Sequence, residues 1–111
     1  MLVEPKEIAV FRANDGGVPF EDWLEALRDK RAVARVLARL ARVRQGNLGD
    51  CKSVGEGVFE LRVDYGPGYR VYLGQRGQTL VVLLCGGDKR SQDRDILRAK
   101  QYWREFKASD L

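Results

Sequence analysis

The stretch "VFELRVDYGPGYRVYLGQRGQTLVVLLC" (residues 58–85) decides the fold, because it contains three successive segments with the composition of β-strands. Aromatic, β-branched and aliphatic residues dominate each segment, and short glycine-containing turns separate them. The sequence therefore predicts a three-stranded antiparallel meander. Its strands are "VFELRVDY" (58–65), "YRVYLGQ" (69–75) and "TLVVLLC" (79–85), with turns at 66–68 and 76–77.

Helical periodicity marks the chain on both sides of this meander. "FEDWLEALRD" (20–29) predicts a short helix, and "KRAVARVLARLARVRQG" (30–46) predicts a longer one. The longer helix has an apolar stripe of Val33, Val36, Leu37, Leu40 and Val43, opposite a basic stripe of Arg31, Arg35, Arg39 and Arg42. "GGDKR" (86–90) is predicted to end the sheet. "SQDRDILRAKQYWREF" (91–106) predicts a last helix, with Ser91 as N-cap and Ile96, Ala99, Trp103 and Phe106 on one face.

These elements assemble into one predicted α+β domain over residues 1–111. A short N-terminal edge strand at "EIAVFR" (7–12) joins the meander in a small antiparallel sheet, and residues 47–57 form a loop. The N-terminal helices pack on this sheet, and the C-terminal helix follows it. Because the helices precede the meander instead of alternating with its strands, the pattern does not fit a doubly wound α/β fold.

The pairing of the first two meander strands decides where two arginines lie. With a three-residue turn at 66–68, Arg62 is predicted to face Tyr72 and Asp64 to face Arg70, and a slip of one residue would mix core and polar positions. One face of the sheet is then apolar, and the other carries Glu60, Arg62, Asp64, Arg70 and Tyr72. Cross-strand charge pairs of this kind stabilise sheets by about 0.2–1 kcal/mol. A purely structural role for these arginines therefore stays open.

Charge and composition point toward an anionic partner. The net charge is +4, but residues 1–27 carry −4 and residues 28–55 carry +6. Arginine outnumbers lysine fourteen to six, and its planar donor set suits phosphate groups. The chain has no histidine and no CxxC motif, so the usual zinc ligand sets are excluded, and we predict no metal or other cofactor. No apolar run approaches the roughly 18 residues of a membrane span, so we expect a cytoplasmic protein without a membrane partner.

A second interpretation of the arginines places them in a site. The "GGDKR" segment brings Lys89 and Arg90 to the end of the sheet near Arg62 and Arg70. Several cations around one hollow favour an anion between them, and a phosphodiester is the natural choice. Without histidine, a general base for RNA cleavage would have to come from Lys89, Lys52, Tyr72, Glu60 or Asp95, none of which titrates near neutrality at its ordinary pKa.

Two motifs carry a resemblance to a known family. "GEGVFELRVDYGPGYRVY" (55–72) and "LLCGGDKRSQDRDI" (83–96) resemble the addiction-module killer proteins, a HigB-type branch of the RelE/ParE toxin superfamily. The resemblance covers roughly residues 7–106. It implies a RelE-like α+β domain that acts as the toxin of a type II toxin–antitoxin system. The implied activity is that of an mRNA interferase, a metal-independent endoribonuclease that cuts mRNA on the ribosome and so inhibits translation and arrests growth.

The resemblance also implies roles for particular residues. Arg70 matches the arginine that stabilises the transition state in RelE-type toxins, and Arg90 matches a second catalytic arginine; Arg62 and Lys89 complete the expected catalytic set. RelE-type lysines and the C-terminal tyrosine have no counterpart, since Arg62 and Glu60 occupy the strand that carries those lysines and Ile96 lies near the tyrosine's place. The expected substrate-binding residues are Lys52, Glu60, Tyr72, Gln92, Asp95, Arg35 and Arg39.

The partners implied are the ribosome with its mRNA and a cognate antitoxin, usually a helix-turn-helix protein. Two alternatives stay open. The chain could be a ParE-type poison of DNA gyrase, or a non-catalytic protein that binds RNA or the antitoxin.

Overall fold

The computed structural model describes residues 5–109, and these form a single α+β domain around a five-stranded mixed sheet. The ends of the predicted 1–111 domain lie outside the described residues. The strands are β1 (Glu7–Val10), β2 (Cys51–Gly55), β3 (Val58–Val63), β4 (Tyr69–Arg76) and β5 (Leu80–Asp88). The helices are α1 (Pro19–Ala26), α2 (Lys30–Arg44) and α3 (Gln92–Ser109), and a 3-10 turn at Lys89–Ser91 precedes α3. Among residues 5–109 no helix is both long and apolar enough to cross a membrane.

The sheet has the order β1-β5-β4-β3-β2, and all its pairs are antiparallel except β1 with β5. The predicted edge strand is thus confirmed at β1, but the prediction of a wholly antiparallel sheet was wrong. The meander is confirmed as β3, β4 and β5. The two N-terminal helices carry the chain from β1 to β2 at the opposite edge of the sheet, and β2 to β5 then return strand by strand until β5 lies parallel to β1.

Helices cover both faces of the sheet. On one face, Phe20 of α1 and Val36, Leu40 and Val43 of α2 pack against alternate residues of β3, β4 and β5. On the other face, Ala99 and Trp103 of α3 pack against Val58, Tyr72, Val82, Leu84 and Cys85. The predicted shared face of α3 is confirmed, since Ile96 and Phe106 also pack against this second core. The polar face of the meander is therefore the α3 side, and α3 covers part of it.

The predicted register between β3 and β4 was wrong by two residues. Arg62 is paired with Arg70, and Glu60 is paired with Tyr72. Asp64 lies outside the ladder, because the connection runs from 64 to 68 and closes with a turn from the Tyr65 carbonyl to the Gly68 amide. Side chains alternate with a period of two, so the shift changed the partners but left the residues that remain in the ladder on their predicted faces.

Two segments predicted as irregular are strands. Residues 51–55 pair with β3 instead of belonging to a loop, although the segment has little hydrophobic alternation. β5 continues through Gly86 and Gly87 to Asp88, so "GGDKR" does not end the sheet where it was predicted to. The glycines are required for space: a Cβ on Gly86 would overlap with the Trp23 ring, and a Cβ on Gly87 would overlap with Oδ2 of Asp95.

Helix boundaries differ slightly from the predictions. α1 stops at Ala26, three residues early, because Leu27 is extended. Asp29 caps α2 by accepting the amides of Arg31 and Ala32 at 2.9 and 3.4 Å. Asp88, not Ser91, is the N-cap of the turn that leads into α3, and Ser91 completes a capping box with it.

The buried face of α2 is rotated from the prediction. Leu37 is 51% exposed, whereas Ala32 and Arg39 lie on the covered side with Val36, Leu40 and Val43.

Candidate functional site

The centre of the site is the carboxylate of Glu60, whose side chain is fully buried in the sheet. Its Oε1 lies 3.3 Å from Nε of Arg62 and 3.5 Å from Nε of Arg70. Its Oε2 accepts hydrogen bonds from Tyr72 Oη at 3.1 Å and from Gln92 Nε2 at 2.8 Å. One carboxylate therefore contacts two guanidinium groups and two neutral donors.

The strand register explains why these groups meet. Arg62 and Arg70 are direct cross-strand partners, and two like charges in that relation destabilise a sheet unless something lies between them. Glu60 and Tyr72 form the next pair on the same face, so the Glu60 carboxylate reaches both arginines. Gln92, the first residue of α3, closes the cluster from above the sheet.

Glu60 stays ionised in this setting. Burial alone would raise the pKa of Glu60, but hydrogen bonds from Gln92, Tyr72 and Arg62 and the charge of Arg70 outweigh it, so the pKa is lowered. The opposite holds for Tyr72, whose phenol is kept protonated because burial and the neighbouring Glu60 charge raise its pKa. Neither group has the pKa of a base that works at neutral pH.

The two arginines face a small hollow at the end of the sheet. It has a volume of about 230 Å³ and is lined by Asp50, Arg62, Val63, Asp64, Gly68, Tyr69 and Arg70. Arg70 is only 8% exposed, and its Nη1 donates to the Gly68 carbonyl at 2.9 Å. The side chain of Arg62 is 39% exposed. Arg62 is therefore the more accessible of the two arginines at this hollow.

Lys89 and Arg90 lie beyond this hollow in the 3-10 turn. Arg90 is held by Asp88, through its Nη2 at 3.1 Å and its amide at 2.8 Å, and its side chain is 85% exposed. Lys89 is exposed, and a Cβ on Gly68 would lie 3.8 Å from its Cβ, so Lys89 borders the loop that holds Arg70. The predicted four-cation cluster is thus split into Arg62 with Arg70 around Glu60, and Arg90 with Asp88.

Several predicted substrate-binding residues are buried. Asp95 is 2% exposed and accepts a hydrogen bond of 2.5 Å from Ser91 Oγ, so it fixes the start of α3 against Gly87. Glu60 and Tyr72 are fully buried in the described structure. These three side chains are covered in this structure, so their exposure gives no support to the predicted substrate contact, whereas Gln92 is half-buried and only partly covered.

The predicted basic stripe of α2 divides in the same way. Arg39 is 5% exposed and donates to three backbone carbonyls, those of Arg62, Leu48 and Asp50. Burial and the charge of Arg42 lower the pKa of Arg39. Arg39 holds three backbone carbonyls together in this structure, and its contact with substrate stays a prediction.

Arg35 is exposed and lies with its guanidinium 5.3 Å from the centre of the Tyr65 ring. It lines a groove of about 620 Å³ between α2 and the end of β3, together with Arg39 and Arg42. The groove and the hollow share Asp50, Arg62, Val63 and Asp64 in their walls. With Glu60 included, five arginines and three carboxylates surround the two together, so the net charge is +2.

Lys52 is exposed on β2 directly opposite Glu60 in the ladder with β3, which puts it on the same face as the cluster. The sequence did not predict the roles of Asp88 and Gly68 at the site. A D-x-x-S spacing at 88–91 was available as a capping signal for Asp88, but nothing in the pattern indicated that the Gly68 carbonyl holds Arg70. Within residues 5–109, no three His, Cys, Asp or Glu side chains are grouped so that they could hold a metal ion.

Comparison with known proteins gives one informative relative. No model of a known protein family matches the chain. A protein of Haemophilus influenzae (strain ATCC 51907 / DSM 11121 / KW20 / Rd), described as an uncharacterized protein, is 56% identical over 81 residues. The match covers 73% of this chain and 82% of the relative. The chain therefore belongs to the same family as this Haemophilus influenzae protein.

Proposed function

We propose that this protein is the toxin of a type II toxin–antitoxin pair, with the RelE-like fold of the HigB-type branch. In this proposal it is a metal-independent mRNA endonuclease that acts on the ribosome. The observation that supports it most is the pair of guanidinium groups, from adjacent strands, that share one buried carboxylate and face one open hollow. The motifs at 55–72 and 83–96 add the family resemblance described above.

The hollow suits the chemistry of RNA cleavage through the 2′-hydroxyl. The 2′-hydroxyl loses its proton and its oxygen forms a bond to phosphorus, while the bond from phosphorus to the 5′-oxygen breaks and that oxygen takes up a proton. The products are a 2′,3′-cyclic phosphate and a 5′-hydroxyl. Negative charge on the phosphoryl oxygens increases in the transition state. Donors fixed in advance at that position stabilise the transition state more than the substrate. Arg70, buried and fixed by Gly68, and the more exposed Arg62 are the donors that we assign to this role.

Fewer residues remain as candidates for the general base than the sequence alone suggested. Glu60 is ionised but has its oxygens directed at four donors, Tyr72 is held protonated, and Asp95 is buried against Ser91. Lys89 and Lys52 remain, and both are exposed. A site with no strong base depends on exact placement of the 2′-hydroxyl. We therefore expect slow cleavage of free RNA and fast cleavage when the ribosome orders the mRNA.

The test is expression without antitoxin, with growth and mapped transcript 5′ ends as readouts. Arg70→Ala should relieve growth arrest and lower in vitro cleavage by about 100-fold, the usual cost of one transition-state donor. Arg90→Ala should have a smaller effect, about tenfold, because Arg90 is exposed and paired with Asp88. Arg104→Ala is the matched control, since Arg104 pairs with Glu56 far along α3 and should leave toxicity unchanged.

The contrary outcomes are distinct. Full toxicity of both Arg70→Ala and Arg90→Ala, with normal circular dichroism spectra, would show that the catalytic assignment is wrong. Growth arrest with an SOS response and without new transcript ends would favour a gyrase poison. Purified wild-type protein should also bind a helix-turn-helix antitoxin, and an affinity that is independent of salt would contradict electrostatic docking on the basic surface.

A further inference from the structure

We infer that Glu60 is the positioning residue of this site: it holds the guanidinium groups of Arg62 and Arg70 in the orientation in which they bind a phosphoryl group. This inference rests on the proposed function for its catalytic readout, but its geometric content can be tested without it. It differs from the expectation that Glu60 contacts substrate.

The contacts of Glu60 leave neither of its carboxylate oxygens free to bind a substrate. Oε1 is shared by Arg62 and Arg70, and Oε2 is shared by Tyr72 and Gln92. The side chain is fully buried, so a substrate cannot reach either oxygen in this arrangement. Glu60 thus accepts three hydrogen bonds and forms one ion pair, and we infer that it acts on the reaction through these partners.

The arginines, in turn, have few other restraints. Arg70 has the Gly68 carbonyl at one terminal nitrogen, while its buried Nε has no hydrogen-bond partner of good geometry among the described residues. Its contact with Glu60 at 3.5 Å is an ion pair that orients the group without a full hydrogen bond. Arg62 donates to Glu60 through Nε at 3.3 Å. Without the Glu60 charge, two opposed guanidinium groups would repel each other and turn apart.

A positioning role and a purely electrostatic role for Glu60 predict different kinetic effects of Glu60→Gln. Removing a negative charge beside two cations should tighten the binding of a phosphate, so a purely electrostatic role predicts a lower KM and no loss of kcat. A positioning role predicts that kcat falls by about tenfold or more while KM stays equal or decreases. A substrate contact by Glu60 would instead raise KM.

The catalytic experiment measures cleavage of mRNA on purified ribosomes by wild type, Glu60→Gln, Arg70→Ala and the double variant. If Glu60 acts through Arg70, Glu60→Gln should cost less than about twofold in the Arg70→Ala background. Full additivity of the two losses, or an unchanged kcat in Glu60→Gln, would overturn the inference. Glu56→Gln is the matched control, because Glu56 forms exposed ion pairs with Lys100 and Arg104 away from the site.

The second readout does not need activity. Nitrogen-15 NMR signals of the Arg62 and Arg70 Nε–H groups should be resolved in the wild type, and Glu60→Gln should shift them or broaden them beyond detection. If they stay unchanged, Glu60 does not hold the arginines and the inference is wrong. If the wild type cuts no RNA, the proposed function fails, and the NMR comparison still decides the positioning role.

A third variant keeps the inference testable if Glu60→Gln does not fold. Gln92→Ala removes only the 2.8 Å hydrogen bond to Oε2 and lies at the start of α3. It should change the same NMR signals and kcat in the same direction as Glu60→Gln but to a smaller extent. If Glu60→Gln does not fold, Gln92→Ala decides the question. Unchanged NMR signals and an unchanged kcat in Gln92→Ala would then contradict the inference.

Discussion

Replacing Gly87 by alanine should destabilise the fold and loosen the site at once. The added Cβ would overlap with Oδ2 of Asp95 and lie 2.8 Å from its Cγ and 2.9 Å from Oγ of Ser91. Asp95 is 2% exposed and cannot turn into solvent without leaving its hydrogen bond to Ser91. The first turn of α3 must therefore move away from β5, and Gln92 moves with it.

The magnitude follows from two contributions. Overpacking a tightly packed position costs about 1–3 kcal/mol. Weakening one buried hydrogen bond at the start of α3 adds about 1 kcal/mol. We expect the free energy of unfolding to fall by about 2–4 kcal/mol, a large part of the 5–15 kcal/mol typical of a domain. With a urea m-value of about 2 kcal/mol/M, in the middle of the range for small proteins, the midpoint should drop by about 1–2 M at unchanged slope.

The assay is urea unfolding followed by circular dichroism, with Gly17→Ala as the matched control. A Cβ on Gly17 would lie 3.1 Å from Oδ1 of the exposed Asp15, which accepts the Gly17 amide at 2.8 Å, so the cost should not exceed that of weakening one exposed hydrogen bond, about 1 kcal/mol. If Gly87→Ala keeps its midpoint within about 0.3 M of the wild type, the close packing of β5 against α3 is not as described.

Three further predictions follow from the site and the cysteines. Because the native pKa of Glu60 is lowered, its stabilising contribution is present above the usual glutamate pKa of about 4.3 and is lost as the pH falls through the native value. The stability difference between wild type and Glu60→Gln should therefore shrink from pH 6 to about pH 3 in urea unfolding, and a constant difference would contradict this linkage. Burial raises the pKa of Cys85 to about 12, so an aromatic disulfide reagent at neutral pH should label the half-buried Cys51 first and Cys85 only after denaturation. Equal labelling rates would refute the buried placement. Arg42→Ala, on the exposed wall of the groove, should reduce the salt slope of single-stranded RNA binding by about 0.7, whereas Arg104→Ala should leave it unchanged.

Hydrophobic periodicity was enough to predict the meander, the long α2 and the inner face of α3. It was not enough for partners across the strands, because a shift of two residues leaves every side chain on the same face. The length of the 64–68 connection decides the register, and Tyr65 closes its turn with backbone hydrogen bonds that the sequence pattern does not reveal. The result was a correct polar face with Arg62 assigned to the wrong neighbour.

The other wrong predictions have a common cause, which is that backbone hydrogen bonds determine the structure at these positions. β2 has little hydrophobic alternation, and it is held as a strand by its ladder with β3. Arg39 falls in a repeat of arginines that is typical of an exposed helix face, yet its partners are the carbonyls of Leu48, Asp50 and Arg62. No side-chain pattern encodes a free carbonyl, so a buried arginine of this kind is found only in the folded chain.

The balance of charge decides between the two interpretations of the sheet arginines. A structural ion pair would match each guanidinium with its own carboxylate, but Arg62 and Arg70 share the single charge of Glu60. The two aspartates in the wall of the hollow also border the α2 groove, where three more arginines face them. The five arginines in the walls of the two hollows therefore face the two wall aspartates and Glu60, a net charge of +2 among these residues. Clustered positive charge repels itself, most strongly at the buried Arg70, and an arriving phosphate relieves this repulsion, which is why we favour an anionic substrate over a purely structural role.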